Sequence, residues 1–326
     1  MRAALVPRYG GPEVVELADV PSPPLEPGRV RVAINVGAVN FPDVLVVANT
    51  YQVSVPTPFI LGSEYAGTVV EVGEAAEGLD VGDRVFGSAI VGAFAEEIVV
   101  APGSLMRIPD GVDDHTAAAF GVAYRTAYHV LRSVASLQGG EELIVLGAGG
   151  GVGSAAVQLG AVLGATVTAV ASTPEKLEAA QALGAQRLIQ HGPGDLRLSL
   201  REVLPGGADV VIDPVGGDLA EPALRALHFG GRFVTVGYAS GNIPRIPLNL
   251  VLLKGCQILG FQFGDWAVRR AEELARNDRE LIDLLVSGRA APLIGATYAL
   301  AEAGDALRCV AEGKALGKVV VEVAPG

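Results

Sequence analysis

The stretch Leu143-Ile144-Val145-Leu146-Gly147-Ala148-Gly149-Gly150-Gly151-Val152-Gly153 decides the fold of the second half of this 326-residue chain. Four apolar residues in a row read as a strand covered on both faces, as in a parallel sheet. The glycines after it allow a tight turn and close backbone approach to a pyrophosphate, and residues 154–163 read as a helix whose N-terminus favours that negative charge. A second apolar run at 166–170 completes strand, turn, helix and strand, the context that separates a dinucleotide-binding turn from a glycine-rich surface loop. Gly150, Gly151, Val152 and Gly153 are therefore expected to bind the cofactor, although Ala148 stands where the strict Gly-x-Gly-x-x-Gly pattern has its first glycine.

Beyond the second strand an NAD-specific protein normally places Asp or Glu, about 20 residues past the glycines, on the ribose 2′-hydroxyl. Here the chain reads Ala171-Ser172-Thr173-Pro174-Glu175-Lys176. A hydroxyl at Ser172 and a point charge at Lys176 suit a 2′-phosphate better than a free diol, so NADPH is expected over NADH. A plainer reading makes Thr173 an N-cap with Pro174 at the first helical position and Lys176 a solvated first-turn residue. The two are compatible.

Further apolar runs at 210–212 and 232–236, separated by Ala-rich helical segments, extend the pattern to a doubly wound parallel sheet. Residues 1–110 have a different texture: short β-branched strands at 30–34, 67–72, 84–86 and 97–100, with turn signals such as Pro27-Gly28 between them, suggest a small barrel-like β domain. The last apolar run, Lys318–Val323, is expected to return to that domain and make it discontinuous.

A formal net charge of −12 argues against non-specific nucleic-acid binding, while leaving room for an anionic cofactor held by backbone N–H groups. Mean hydropathy is +0.42, but no run reaches the roughly 20 apolar residues of a membrane span, and the N-terminus lacks the long apolar core of a signal peptide. A soluble cytoplasmic protein is expected. Cys256 and Cys309 are too few for a disulfide framework and read as buried small apolar residues.

Several ordered stretches together carry a family resemblance: Asn40-Phe41-Pro42-Asp43, Gly62-Ser63-Glu64-Tyr65-Ala66-Gly67, Val81-Gly82-Asp83-Arg84-Val85, the 148–153 turn, Asp213-Pro214-Val215-Gly216-Gly217, Val236-Gly237-Tyr238 and Gly313–Lys318. The chain resembles the zinc-free medium-chain dehydrogenase/reductases, in their NADPH:quinone oxidoreductase (zeta-crystallin-like) branch. The resemblance implies an α/β fold. It implies further a GroES-like β-barrel catalytic domain at 1–120 and 260–326 enclosing a Rossmann domain with a doubly wound parallel sheet at 121–259, with the active site expected in the cleft between them. It also implies a homodimer.

Zinc-dependent relatives place a Cys in the stretch matching residues 36–43 and a His where this chain has Ser63; no Cys precedes residue 256, so neither a three-ligand catalytic site nor a four-ligand structural site is expected. Asp43 and Glu64 then read as structural or orienting groups. Without a Lewis acid, the implied chemistry is hydride transfer from NADPH to a quinone or another α,β-unsaturated carbonyl, with the protein supplying orientation and hydrogen bonds.

By the same resemblance Asn40 would contact the nicotinamide ribose side or the acceptor, Thr126 would meet the nicotinamide, Gly237 would let the backbone approach the cofactor, and Phe261 would wall the nicotinamide pocket. A turn Asn, a buried helical Thr, a strand-end Gly and a core aromatic are the plainer readings. Tyr51 is the candidate proton donor. His191, where relatives often carry a Tyr, would serve the 2′-phosphate as a protonated imidazole, and Lys318 resembles a basic residue placed near a cofactor phosphate. Two rivals remain: a reductase of 2-enoyl thioesters, and a non-catalytic, crystallin-like NADPH-binding protein.

Overall fold

The computed structural model describes residues 1–192 and 194–323, in two units: residues 1–122 with those from 292 onward, and residues 123–291. Strand Val30–Val39 is the spine of the first unit. It pairs antiparallel with Glu64–Val72, with Glu97–Val100 and with Lys318–Glu322, so the end of the chain does return to the first unit's sheet. Ile294–Ala299 and Arg84–Ser88 with Leu105–Arg107 extend the sheet on its two sides, and a smaller sheet joins Glu16–Asp19, Arg2–Val6 and Phe59–Ile60. Residues along Val30–Val36 alternate between buried and half-buried, the period-2 signature of a strand with one face in a core. That core is formed by Val32, Ile34, Tyr65, Val85, Phe94 and Val321 among others.

The second unit is a six-stranded parallel sheet in the order Arg187–Gln190, Thr166–Ala171, Glu142–Leu146, Ala208–Asp213, Leu227–Thr235, Gln257–Gly260. Its first strand in sequence, Glu142–Leu146, lies in the middle, and the chain goes to one side and then the other, which puts a topological switch point at that strand's carboxyl end. Leu143, Ile144, Val145 and Leu146 are wholly buried, each worth about 1.5–3 kcal/mol of transfer free energy. The glycine turn follows immediately.

The second unit runs on to residue 291, beyond the expected boundary at 260. The cause is a polar seam that periodicity does not reveal. Arg125 donates from Nε and Nη2 to the two oxygens of Asp278, each at 2.9 Å, and Tyr128 donates to Glu280 at 2.7 Å. Asn277 donates to Ser133 Oγ and contacts His129 Nδ1, both at 2.9 Å. These bonds fasten helix Ala271–Val286 to the segment after residue 123, while Phe261, Phe263, Trp266 and His129 stack beside it with ring centroids 4.6–6.2 Å apart.

Candidate active site

In the second unit the glycine turn is shaped by contacts that tolerate no side chain. Gly147 has φ +62°, and a Cβ on Gly153 would stand 2.0 Å from the carbonyl oxygen of Gly147, so helix Gly151–Val162 approaches the strand end as only glycine allows. The turn is held by Gly150 N–H donating to Gly147 O at 3.0 Å and by Ala148 N–H donating to Val170 O at 3.0 Å. Gly150 is the N-cap and brings no capping side chain, so the first N–H groups of the helix, on Gly151, Val152 and Gly153, are left for an anion.

A Cβ on Gly149 would lie 2.5–2.7 Å from Cγ, Cβ and Cδ of Lys176: the lysine stem is laid directly across the turn. Thr173 caps the helix that begins at Pro174, its hydroxyl accepting from Lys176 N–H at 3.4 Å. The plainer reading of Thr173 is thus correct, and the cap also fixes where the Lys176 stem starts. Ser172 is exposed at the adjoining strand end, its carbonyl accepting from Gln190. His191 closes the group through its N–H to Ala171 O at 2.9 Å. Burial and then the Lys176 charge push its pKa down. Gly149 to Gly153, Ser172, Lys176 and His191 are therefore brought together at neighbouring strand ends, and the cradle fits a dinucleotide phosphate.

Asp213, fully buried at the end of its strand, accepts from Val215 N–H at 2.8 Å and Gly216 N–H at 2.7 Å, while its other carboxylate oxygen has no hydrogen-bond partner among the described residues. Burial pushes its pKa up. Gly237 follows the neighbouring strand; a Cβ there would be 3.4 Å from Pro214 O, which is tight but not forbidden. Thr126 is half-buried on helix Asp114–His129. Phe261 is buried in the aromatic stack, which supports the core reading of that residue.

In the first unit Asn40, Asp43, Glu64 and Lys318 are buried together. Lys318 Nζ donates to Asn40 Oδ1 at 2.6 Å, to Glu64 Oε2 at 2.9 Å and to Val39 O at 3.2 Å. Asn40 Nδ2 donates to the same Glu64 oxygen at 2.9 Å, and Glu64 Oε1 accepts from Val122 N–H at 2.5 Å. Lys318 is thus no phosphate ligand: its ammonium is consumed inside the fold, which corrects the expectation for it.

Asp43 sits at the third position of helix Phe41–Val47 and accepts from Asn40 N–H at 2.7 Å. Burial lifts its pKa to about 6, against the opposing pull of its hydrogen bonds with Ser63 and Asn40 and of the Lys318 charge. The pKa of half-buried Tyr51 is raised by burial and then by the Asp43 charge, so it stays a neutral phenol, able to donate at physiological pH.

Residues 26–110 match the alcohol dehydrogenase GroES-like domain family, and residues 151–277 the zinc-binding dehydrogenase family. Quinone oxidoreductase-like protein 2 of Bos taurus is 35% identical over 324 residues, 99% of this chain and 92% of that protein. The crystal structure of the quinone oxidoreductase from Thermus thermophilus, also solved as its complex with NADPH, superposes with a TM-score of 0.85 at 32% identity over 99% of this chain and 100% of that one. The chain belongs to the medium-chain dehydrogenase/reductases, in the zinc-free quinone oxidoreductase branch. Members of this family are oxidoreductases, and the two sheets described above are its GroES-like and Rossmann domains. The chain is also 37% identical over 303 residues to polyketide synthase GfsB of Streptomyces halstedii, covering 93% of this chain but 5% of that protein.

Two features of the site escaped the sequence reading. Gly149, passed over in favour of its neighbours, is the seat of the Lys176 stem. The Asn40–Glu64–Lys318 cluster joins residues 24 to 278 positions apart, and no local pattern links them. Glu64 and Lys318 in strands beside apolar neighbours were the available signal, since a charge in such a place needs a partner.

Proposed function

We propose that this protein is an NADPH-dependent, zinc-independent reductase acting on quinones or other α,β-unsaturated carbonyls. The observation that carries the reading is the Lys176 stem lying on Gly149, which brings a lysine against the dinucleotide turn where an NAD-specific protein would set a carboxylate. The NADPH complex of the Thermus thermophilus relative supports it. Bound NADPH would supply the hydride. Gly151, Val152 and Gly153 would hold its pyrophosphate by backbone N–H groups, Lys176 and Ser172 its 2′-phosphate, and His191 would flank that phosphate. Thr126 would border the nicotinamide, Gly237 would let the backbone approach the cofactor, Asn40 would donate to a ribose or acceptor oxygen, and Tyr51 would pass a proton to the reduced acceptor. Oxidation of NADPH and NADH against a panel of quinones, enals and enoyl thioesters tests the reading: turnover faster with NADPH and with quinones or enals is expected, and no oxidation of either cofactor would overturn it.

Likeness to part of a polyketide synthase favours a second reading, reduction of a 2-enoyl thioester, which turnover confined to the thioester would establish.

The protein would act in the cytoplasm as a homodimer. Gln257–Gly260 is an edge strand paired on one side, with Ile258 exposed, and beside it Phe229 (85% exposed) lies over Gly255 next to Leu252 (81% exposed). An open edge flanked by large apolar side chains is self-complementary about a two-fold axis. Light scattering should find a dimer in the wild type and a monomer in Phe229→Glu/Leu252→Glu; a wild-type monomer would refute the assignment. Among the described residues no helix is long and apolar enough to cross a membrane.

A further inference from the structure

We propose that Lys318 is a positioning residue for Asn40, fixing its side-chain amide so that Asn40 serves the site as a hydrogen-bond donor to an oxygen; this rests on the reading of Asn40 given above. The amide oxygen and nitrogen of an asparagine look alike in shape, and only their partners decide which end is which. Here the partners decide it fully. Lys318 Nζ can only donate and lies 2.6 Å from one end of the amide, which must be Oδ1. Glu64 Oε2 lies 2.9 Å from the other end, which must be Nδ2 because an ionised carboxylate can only accept. Flipping the amide would set donor against donor and acceptor against acceptor in a place closed to bulk water, since Lys318 and Glu64 are 3% and 0% exposed.

The lock leaves a defined spare capacity. Of the two hydrogens on Asn40 Nδ2, one is used by Glu64. The other has only long contacts, 3.4 Å to Ala38 O and 3.5 Å to Ser63 Oγ, at the limit of what counts as a hydrogen bond. Donation from an ammonium into Oδ1 draws electron density from the amide and strengthens its N–H groups as donors. The ligand chemistry is therefore an oxygen acceptor. Two sources share it: a ribose hydroxyl of the dinucleotide, and the carbonyl oxygen of the acceptor as it gains negative charge.

The full-length protein is assayed as wild type, Asn40→Ala, Lys318→Met, Lys318→Arg and the Asn40→Ala/Lys318→Met double variant, reading NADPH dissociation constant by fluorescence and kcat and KM for a benzoquinone. Asn40→Ala and Lys318→Met are each expected to lose about tenfold, the worth of one charge-assisted hydrogen bond, in the same quantity. That quantity is NADPH affinity if the oxygen is on the ribose and kcat if it is on the acceptor. The double variant should be no worse than the weaker single one, and Lys318→Arg, which keeps a donor, should recover most of the loss. Losses that multiply in the double variant, or an unaffected Lys318→Met beside an impaired Asn40→Ala, overturn the positioning role. An Asn40→Ala variant with unchanged affinity and kcat overturns the role of Asn40 itself and this proposal with it, while NADPH oxidation by the wild type still stands as a separate result. Should Lys318→Met fail to fold, Lys318→Met/Glu64→Leu removes both charges together, keeps the interior neutral and is put through the same comparison.

Discussion

The glycine turn at 147–153 and the buried cluster of Asn40, Glu64 and Lys318 use opposite means. The turn is made of backbone: its residues are contiguous, its geometry is set by missing side chains, and its charge comes from a helix end and from Lys176 laid over it. The cluster is made of side chains drawn from three separated segments, with one ammonium and one carboxylate taken wholly out of water. A backbone site needs only local sequence to be right, and it fails when atoms are added. A buried ionic site needs the whole sheet in register, and it fails when atoms are removed, because the surviving charge is stranded.

The largest effect is expected at Glu64. Glu64→Ala leaves Lys318 buried without its carboxylate and removes the side-chain acceptor of Val122 N–H, and is expected to cost about 3–5 kcal/mol in chemical denaturation. A loss below about 1 kcal/mol would show that water or a rearranged partner takes over, and the cluster would then be softer than the bonds imply.

Next comes Gly153→Ala, which adds one carbon against the carbonyl of Gly147. Overpacking of this kind costs about 1–3 kcal/mol, and because the backbone itself must move, NADPH affinity should fall further than stability. Calorimetric titration beside thermal melts reads both, and unchanged affinity would show that the turn is not the dinucleotide site.

Asp43 tests the buried side of the contrast through pH. Its pKa in the folded protein, about 6, lies above its ordinary 3.8, so folding disfavours the ionised form. The unfolded chain loses the proton first as pH rises. Stability from this group is therefore greatest in acid, falls between about pH 4 and pH 6 by on the order of 2–3 kcal/mol, and is flat above that window. Asp43→Asn should remove this slope from the pH dependence of urea unfolding; a variant with the wild-type slope would assign the titration elsewhere.

The smallest effect is expected at Lys176, which is half-buried at the surface of the turn. Lys176→Ala should weaken NADPH about tenfold and leave NADH within about twofold, since on the proposed reading only the 2′-phosphate would meet the ammonium. Equal losses for both cofactors would place the lysine on the pyrophosphate instead.

Legibility in the sequence followed the same division. The 143–176 unit could be read residue by residue, because strand, turn, helix and cap are each encoded within a few positions. Even there, only the fold revealed that Gly149 seats Lys176 and that burial and Lys176 push the His191 pKa down, since both depend on how two loops lie against each other. The second unit runs past the expected boundary at 260 for a similar reason. Residues 260–291 carry helix and strand fragments without a marker of which core they join, and bonds such as Arg125 to Asp278, across 153 positions, make that choice. Lys318 was the plainest error. The family resemblance implies a basic residue near a cofactor phosphate at this position, whereas pairing Val319 with Val39 puts Lys318 beside Asn40 and Glu64.

Residue order was enough to establish the dinucleotide turn, the parallel sheet around it, the absence of a Cys and His set before residue 256 and the family to which these belong, because each rests on contiguous residues or on residue type alone. It took the folded chain to decide which charges are buried, how Asn40 presents its amide, and where the second unit ends. These depend on desolvation and on contacts between residues far apart in the chain, and a linear pattern carries no record of either until the sheets are paired.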